Sequence, residues 1–206
     1  STFSKYSGMR NHMGLTGAQA AERVLHGAGI YDVRIERVAG NLTDHYDPRN
    51  KVLRLSDATY GQCSVAAVGV AAHECGHAIQ HARGYAPLQF RSALVPVANF
   101  GSMIAWPLIV LGLFINSQSS ALLINIGILA FSLAVLFQLV TLPVEYNASG
   151  RAVRILAETG MMQGEEIVAT KKVLNAAALT YVASAAAAIL QLVRILILTG
   201  GRRRDD

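Results

Sequence analysis

The chain has 206 residues, of which 52% are hydrophobic and only 15% are charged. Soluble domains usually carry about a quarter charged residues, so this composition excludes an ordinary water-soluble domain. The net charge is +5 at pH 7, and the positions of the Lys and Arg residues along the chain fit the topology of a membrane protein. We therefore predict a lipid bilayer as partner and no nucleic acid.

The N-terminal region predicts a small mixed fold of helix and strand. Thr16 is the expected N-cap of an amphipathic helix that ends at Gly27 or Gly29. The stretch YDVRIERV, residues 31–38, alternates apolar and polar side chains and predicts a strand. The same alternation predicts a second strand over Lys51–Leu55, which is either an ordinary sheet strand or an edge that pairs with an extended substrate.

The next predicted helix spans residues 63–83, is closed by Gly84 and contains the stretch AAHECGHAIQH. His73 and His77 lie four residues apart, so both imidazoles can face one ion, as in the H-E-x-x-H pattern of zinc sites. Glu74 is rotated by about 100° from His73 and can take a proton from water rather than bind the ion. A structural histidine pair without metal is the alternative.

His81 extends the series but cannot be the third ligand. Eight residues of helix place it about 12 Å along the axis from His73, too far to share one ion. The longer metzincin pattern is absent, because Gln80 and Arg83 stand where it needs glycine and histidine. We expect His81 to be a polar residue at or beside the site.

Glu145 stands out among the carboxylates because it directly follows an apolar run. A membrane hairpin that ends beside its own entry point would return Glu145 to the histidine helix. Two histidines and a glutamate leave one position open for water, as in catalytic zinc sites. Spacing alone leaves a solvated charge at a membrane boundary equally open. Other acidic residues, around a predicted turn at 160–164, are expected to be solvated: Glu158, Glu165 and Glu166.

Three apolar runs predict membrane helices: residues 92–115, 120–143 and 176–199. Each can cross about 30 Å of hydrocarbon. Ten of the eighteen Lys and Arg residues precede the first run and none lies in 116–119, which predicts a hairpin with both ends on the cytoplasmic side. We expect the third run to span as well, although this places Arg202–Arg204 outside; packing without crossing is the alternative.

Cys63 and Cys75 are twelve residues apart on one predicted helix, about 18 Å along its axis, so they cannot form a disulfide with each other. Reduced thiols fit a site that faces the cytoplasm.

Four stretches together resemble the YugP-type membrane zinc metallopeptidases, bacterial relatives of the HtpX and CAAX-protease gluzincins: SVAAVGVAAHECGHAIQH, YAPLQFRSALVPVANFGS, LFQLVTLPVEYNASGRAVRIL and KVLNAAALTYVA. The resemblance extends over nearly the whole chain. It implies one Zn²⁺ per chain, bound by His73, His77 and Glu145, with Glu74 as catalytic base. It also implies a bacterial inner-membrane protein; since the family usually begins with a transmembrane helix, a truncated or processed form is expected.

The expected fold class is an α-helical integral membrane protein with a small α+β zincin-like catalytic region, in which a transmembrane hairpin follows the active-site helix. Four parts are predicted: 1–91, the α+β region ending in the histidine helix; 92–143, the hairpin; 144–175, a helical segment carrying the third ligand; and 176–206, a membrane helix with a basic tail.

One departure from the wider gluzincin pattern concerns the partner that orients a histidine ligand. Related enzymes place an Ala-Asp pair after the ligand glutamate, whereas this chain has Ala148 and Ser149. The orienting carboxylate must then be absent or come from elsewhere. The possible residues are Asp44, Asp47 and Glu158.

The expected activity is hydrolysis of peptides or proteins, including membrane proteins, by a zinc-dependent endopeptidase. A donor to the oxyanion is also expected, with Tyr146, Arg151 and His45 as possibilities. The alternatives are a zinc-containing membrane scaffold, or assembly partner of another protease, and a divalent-metal transporter. Charge-free apolar runs argue against the transporter.

Overall fold

The computed structural model describes residues 2–115 and 119–200, which form a mostly helical protein with one small sheet. The chain divides into two compact units, Ser1–Tyr85 with Val144–Leu179 and Ala86–Pro143 with Thr180–Asp206. In chain order the elements are α1 (Thr2–Tyr6), α2 (Gly17–Gly27), β1 (Arg34–Val38), β2 (His45–Asp47), β3 (Val52–Ser56), α3 (Val65–Ala82), α4 (Ala86–Phe114), α5 (Ser120–Glu158) and α6 (Glu165–Gly200).

Helix α2 begins as its sequence predicts. The Thr16 hydroxyl accepts a hydrogen bond from the Gln19 backbone N–H at 3.2 Å, and the Gln19 side chain accepts one from the Thr16 N–H at 3.0 Å. This reciprocal pair satisfies two backbone donors that the first helical turn leaves free. The buried residues Val24 and Leu25 belong to a core shared with α3 and the sheet, and the helix ends at Gly27.

The sheet has the strand order β1-β3-β2, with β3 parallel to β1 and antiparallel to β2. The predicted edge role for Lys51–Leu55 is therefore wrong, because β3 is hydrogen-bonded on both sides. Its Leu53 and Leu55 side chains are fully buried in the core, which explains its central position. Strand β2 was not expected from the sequence, because its three residues are too few to show alternation.

Helix α3 confirms the prediction for residues 63–83 to within two residues at each end. The Ser64 hydroxyl caps it by accepting from the Ala67 N–H, and Gly84 follows its end with φ +61°, a conformation that favours glycine. Cys75 lies on this helix, fully buried, and both cysteines are free thiols, as expected.

Helix α3 and the final part of α5 approach at backbone distance. A Cβ on Gly76 would lie 2.6 Å from the Ala148 carbonyl oxygen and 3.0 Å from the Ala148 Cα. Real Cβ atoms do not come this close, so only glycine permits this contact without displacing the backbone.

The second unit contains the predicted hairpin. Its two helices touch at small residues: a Cβ on Gly101 would lie 2.7 Å from the Ala130 oxygen, and one on Gly127 would lie 2.9 Å from the Ala105 oxygen. The order of these pairs makes the helices antiparallel, with the close small-residue packing common between membrane helices. The predicted tip, 116–119, falls largely outside the described residues, as does the basic tail Arg202–Arg204.

Helices α4, α5 and α6 are each long and apolar enough to cross a membrane. Helix α5 continues without a break through Pro143, and α6 likewise continues through residue 176. The predicted interruption at 160–164 separates α5 from α6, and both Gly160 and Gly164 have positive φ. Glu145 is therefore placed by the same helix that carries the second apolar run.

We predict that Gly76→Ala destabilises the protein by about 1–3 kcal/mol, the usual cost of inserting a methyl group into a closed contact. Gly150→Ala on α5 is the matched control, because a Cβ there meets nothing within 4 Å and alanine favours helix. Thermal unfolding in detergent measures both. Equal melting temperatures for the two variants would show that α3 and α5 do not make this contact.

Candidate metal centre

Two histidines from α3 and one glutamate from α5 meet at a single point. The Glu145 Oε2 atom lies 3.3 Å from His73 Nε2 and 3.6 Å from His77 Nε2. The three ligand atoms all lie within 4.8 Å of one another, and the Glu145 side chain is only 3% exposed. It is the one such group of His, Cys, Asp and Glu in the part of the chain that the structure describes.

The spacing of these atoms fits zinc. Two ligands about 2.1 Å from a tetrahedrally coordinated ion are separated by about 3.4 Å. The two measured Oε2–Nε2 distances lie close to this value. Two imidazole nitrogens and one carboxylate oxygen are donors that zinc accepts, and three protein ligands leave a fourth position open for water.

The other nitrogen of each ring is occupied by a neutral partner. His73 Nδ1 lies 3.0 Å from the Ser149 hydroxyl, and His77 Nδ1 lies 3.0 Å from Gln80 Oε1. The Gln80 amide nitrogen donates to the Val144 carbonyl oxygen at 2.8 Å, which leaves Oε1 as the acceptor for His77. His77 therefore carries a proton on Nδ1, and its Nε2 is directed at Glu145.

These partners replace the carboxylate sought from the sequence. Asp44 accepts hydrogen bonds from the Ser56 backbone N–H and hydroxyl, and Asp47 pairs with Arg54 at 3.1 Å. Glu158 is exposed at the end of α5. None of the three makes a hydrogen bond or ion pair with the histidines in the described part of the chain. The sequence shows Gln80 only as a break in the longer metzincin pattern, although its position three residues after His77 places it on the same helix face.

Glu74 is half-buried beside the ligands on α3 and makes no hydrogen bond or ion pair with the described residues. The negative charge of the Glu74 carboxylate nevertheless acts on the nearby His77 ring. Burial lowers the pKa of His77, but the Glu145 hydrogen bond and the negative charges of Glu74 and Glu145 outweigh burial and raise that pKa above its usual value.

The remaining predicted residues make no hydrogen bond with His73 or His77 in the described part of the chain. Arg151 donates through Nε to Asn147 Oδ1 at 2.7 Å, and the same oxygen accepts from Gln80, so Arg151 reaches His77 only through two intermediates. Tyr146 follows Glu145 and is 46% exposed. His45 is exposed on β2 and bonds the Thr43 carbonyl oxygen.

His81 is exposed, and its Nδ1 lies 3.0 Å from the Tyr46 hydroxyl, so it is a polar residue rather than a ligand, as expected. Glu165 is exposed, but the expectation that Glu166 is solvated was wrong. Glu166 is buried against the N-terminal segment, where it accepts from the His12 backbone N–H at 2.6 Å and contacts His12 Nδ1 at 2.7 Å.

The sequence matches the family described as "Putative neutral zinc metallopeptidase" over residues 1–200. The chain belongs to this zinc metallopeptidase family. It is also 47% identical over 203 residues to the Bacillus subtilis (strain 168) protein named "Putative membrane protease YugP", a match that covers 98% of this chain and 89% of the relative. These matches confirm the YugP-type resemblance. No solved structure matches the chain.

The family name implies zinc, and the donor set described above is where this chain can hold it. The relative is named as a membrane protein, and the three long apolar helices of this chain agree with a multi-pass membrane protein.

We predict that Gln80→Leu weakens zinc binding about 10–100-fold, because loss of an orienting hydrogen bond to a histidine ligand has that effect in other zinc sites. His81→Gln is the control, since His81 is exposed on the same helix and contacts Tyr46. Competition against a fluorescent chelator measures both affinities. An unchanged affinity in Gln80→Leu would contradict the role of Gln80.

The raised pKa of His77 predicts opposite pH dependences for metal-free and zinc-loaded protein. In the metal-free protein, protonated His77 stabilises the folded state through its interaction with Glu145. This stabilisation is complete below the ordinary histidine pKa of about 6.5 and is lost as pH rises through the raised pKa of His77. Zinc binding needs the neutral ring, so zinc affinity rises over the same interval. Thermal unfolding from pH 6 to 8, with and without zinc, measures this. The melting temperature of the metal-free parent should fall across this pH interval more than that of metal-free Glu145→Gln. An equal change in the two proteins would contradict the raised pKa of His77.

Proposed function

We propose that the protein is a membrane-embedded zinc-dependent endopeptidase in which His73, His77 and Glu145 bind one Zn²⁺ and Glu74 is the general base. The observation that carries the proposal is the meeting of the three ligand atoms at zinc spacing, with an unpaired carboxylate on the adjacent residue of α3. Membership in a zinc metallopeptidase family and the relative named as a membrane protease support it.

When bound, zinc would lower the pKa of a coordinated water and polarise the carbonyl of the scissile peptide bond. Glu74 accepts the proton of the attacking water and delivers it to the leaving amine. Its carboxylate can serve both steps because no side chain in the described residues holds it in one position. Ser149 and Gln80 keep the two rings in the orientation that presents Nε2 to the ion.

The oxyanion of the reaction needs a hydrogen-bond donor. We propose Tyr146 or Arg151 for this role, since both follow Glu145 on α5, with His45 on β2 as the third possibility. Tyr146 has a largely exposed side chain and makes no hydrogen bond among the described residues, so its hydroxyl is free to meet a substrate.

An extended substrate can pair with β2 rather than with β3. Strand β2 is the terminal strand of the sheet and packs against α3, where Tyr46 contacts His81. Its outer backbone groups are therefore available to a peptide near the histidine helix. We propose peptides and proteins, including membrane proteins, as the substrates of this site.

We place the protein in the bacterial inner membrane, with the active site facing the cytoplasm. Lys and Arg residues are frequent before and after the hairpin and absent from its tip, residues 116–119, which supports this orientation. The proposed ligands lie in the unit formed by Ser1–Tyr85 and Val144–Leu179 and not in the charge-free run 92–115. This position does not favour an ion-conducting path through the membrane.

The test is cleavage by zinc-loaded protein in proteoliposomes, read as new peptide N-termini in a mixture of membrane and soluble proteins. We predict that Glu74→Gln lowers the cleavage rate by at least about 100-fold while zinc content is unchanged. Glu158→Gln, an exposed carboxylate at the end of α5, serves as control and retains the rate. Equal cleavage by Glu74→Gln and parent would refute the general base. A zinc-loaded parent that cleaves nothing would favour the non-catalytic scaffold.

A further inference from the structure

Helices α5 and α6 carry a group of polar and cationic side chains in addition to the ligand Glu145. A cavity of about 310 Å³ opens between the two helices within the first unit. The described residues that line it are polar, cationic or apolar, and none of them is acidic: Tyr146, Ser149, Gly150, Val153, Arg154, Lys171, Leu174 and Asn175.

Three polar side chains of this cavity have no partner within the described protein. Arg154, Lys171 and Asn175 are exposed, and none of them makes a hydrogen bond or ion pair with a described residue. Two cations face one cavity without a neutralising carboxylate, although elsewhere in this unit Arg37, Lys51 and Arg54 are each paired with an acid. The cavity is therefore suited to an anion.

The position of the cavity along its two helices indicates where such an anion would come from. The charge-free run of α5 ends at Pro143, three residues before Tyr146, and that of α6 begins at Ala176, directly after Asn175. At 1.5 Å per residue these cavity residues begin within about 5 Å of the end of each apolar run. That is the level of lipid headgroups for a helix that crosses a bilayer, where basic pockets between helices bind phospholipids.

The cavity borders the imidazole ring of His73 at Ser149. Ser149 lines it and contacts Nδ1 of His73, whereas Nε2 of the same ring faces Glu145. A group that contacts Ser149 in the cavity is therefore on the Nδ1 side of this ring.

We infer that this cavity is a binding site for the phosphate of an anionic phospholipid, with Arg154 and Lys171 as cationic contacts and Asn175 as a further donor. Val153 and Leu174 supply an apolar wall for the lipid beyond the phosphate. Because the lining has no carboxylate to accept an ammonium group, a headgroup without an amine, such as phosphatidylglycerol, binds better than phosphatidylcholine.

The hydrogen bond between His73 and Ser149 links the cavity to the metal centre. If its Nε2 binds the ion, its Nδ1–H donates to the Ser149 oxygen, and the Ser149 hydroxyl proton is available to an acceptor in the cavity. A phosphate oxygen there would accept it and strengthen the hydrogen bond on His73. This last step rests on the proposed function, but lipid binding itself does not.

The test is native mass spectrometry of delipidated full-length protein titrated with phosphatidylglycerol or phosphatidylcholine. We expect phosphatidylglycerol to bind the parent more tightly, and the double variant Arg154→Gln/Lys171→Gln to lose at least about tenfold in its affinity. Lys172→Gln is the matched control, because Lys172 is the neighbouring exposed lysine on α6 and does not line the cavity.

Three results would overturn the inference. The first is equal loss of binding in Lys172→Gln, which would indicate general surface charge. The second is equal affinity for both lipids. The third is displacement of the lipid by inorganic phosphate at comparable concentration, which would assign the cavity to a free anion. None of these measurements uses peptide cleavage. A protein that cleaves no peptide but still binds phosphatidylglycerol in this way would therefore refute the proposed function and support the lipid site.

Discussion

The contact of α3 with α5 at Gly76 and Ala148 is the constraint on which the metal centre depends. Gly76 lies one residue before His77 on α3, and Ala148 lies three residues after Glu145 on α5. Because the two backbones touch there, the short Glu145 side chain reaches both imidazole rings. A larger residue at Gly76 would displace the Ala148 backbone and with it the helix that carries Glu145.

Neutral hydrogen-bond partners around the two histidines set the chemical character of the centre. A carboxylate on Nδ1 would donate charge to the ring and make it a stronger ligand, as in many zinc sites. Ser149 and Gln80 hold the rings in place without adding charge. The ion would then be neutralised mainly by Glu145, with Glu74 nearby, and would keep a strong polarising effect on water and on a carbonyl.

The sequence predicted much of this arrangement because periodicity and spacing encode local structure. The spacing of His73 and His77 fixed one face of a helix, and the charge-free runs fixed two apolar helices. Contacts between distant segments were harder to foresee. The central position of β3 depends on β2, which is too short to alternate, and Gln80 acquires its role only when Val144 is brought beside it. Glu145 was foreseen because an apolar run leads directly to it, but spacing alone left its role open.

The central claim is that one glutamate from α5 completes a metal site built on α3. The most direct measurement is zinc per chain, together with zinc X-ray absorption spectra, in the parent, Glu145→Ala and the control Glu158→Ala. We predict about one zinc in the parent and in the control, bound by two imidazoles and oxygen without sulfur, and a sharp loss in Glu145→Ala. Equal zinc content and an unchanged spectrum in Glu145→Ala would contradict the account.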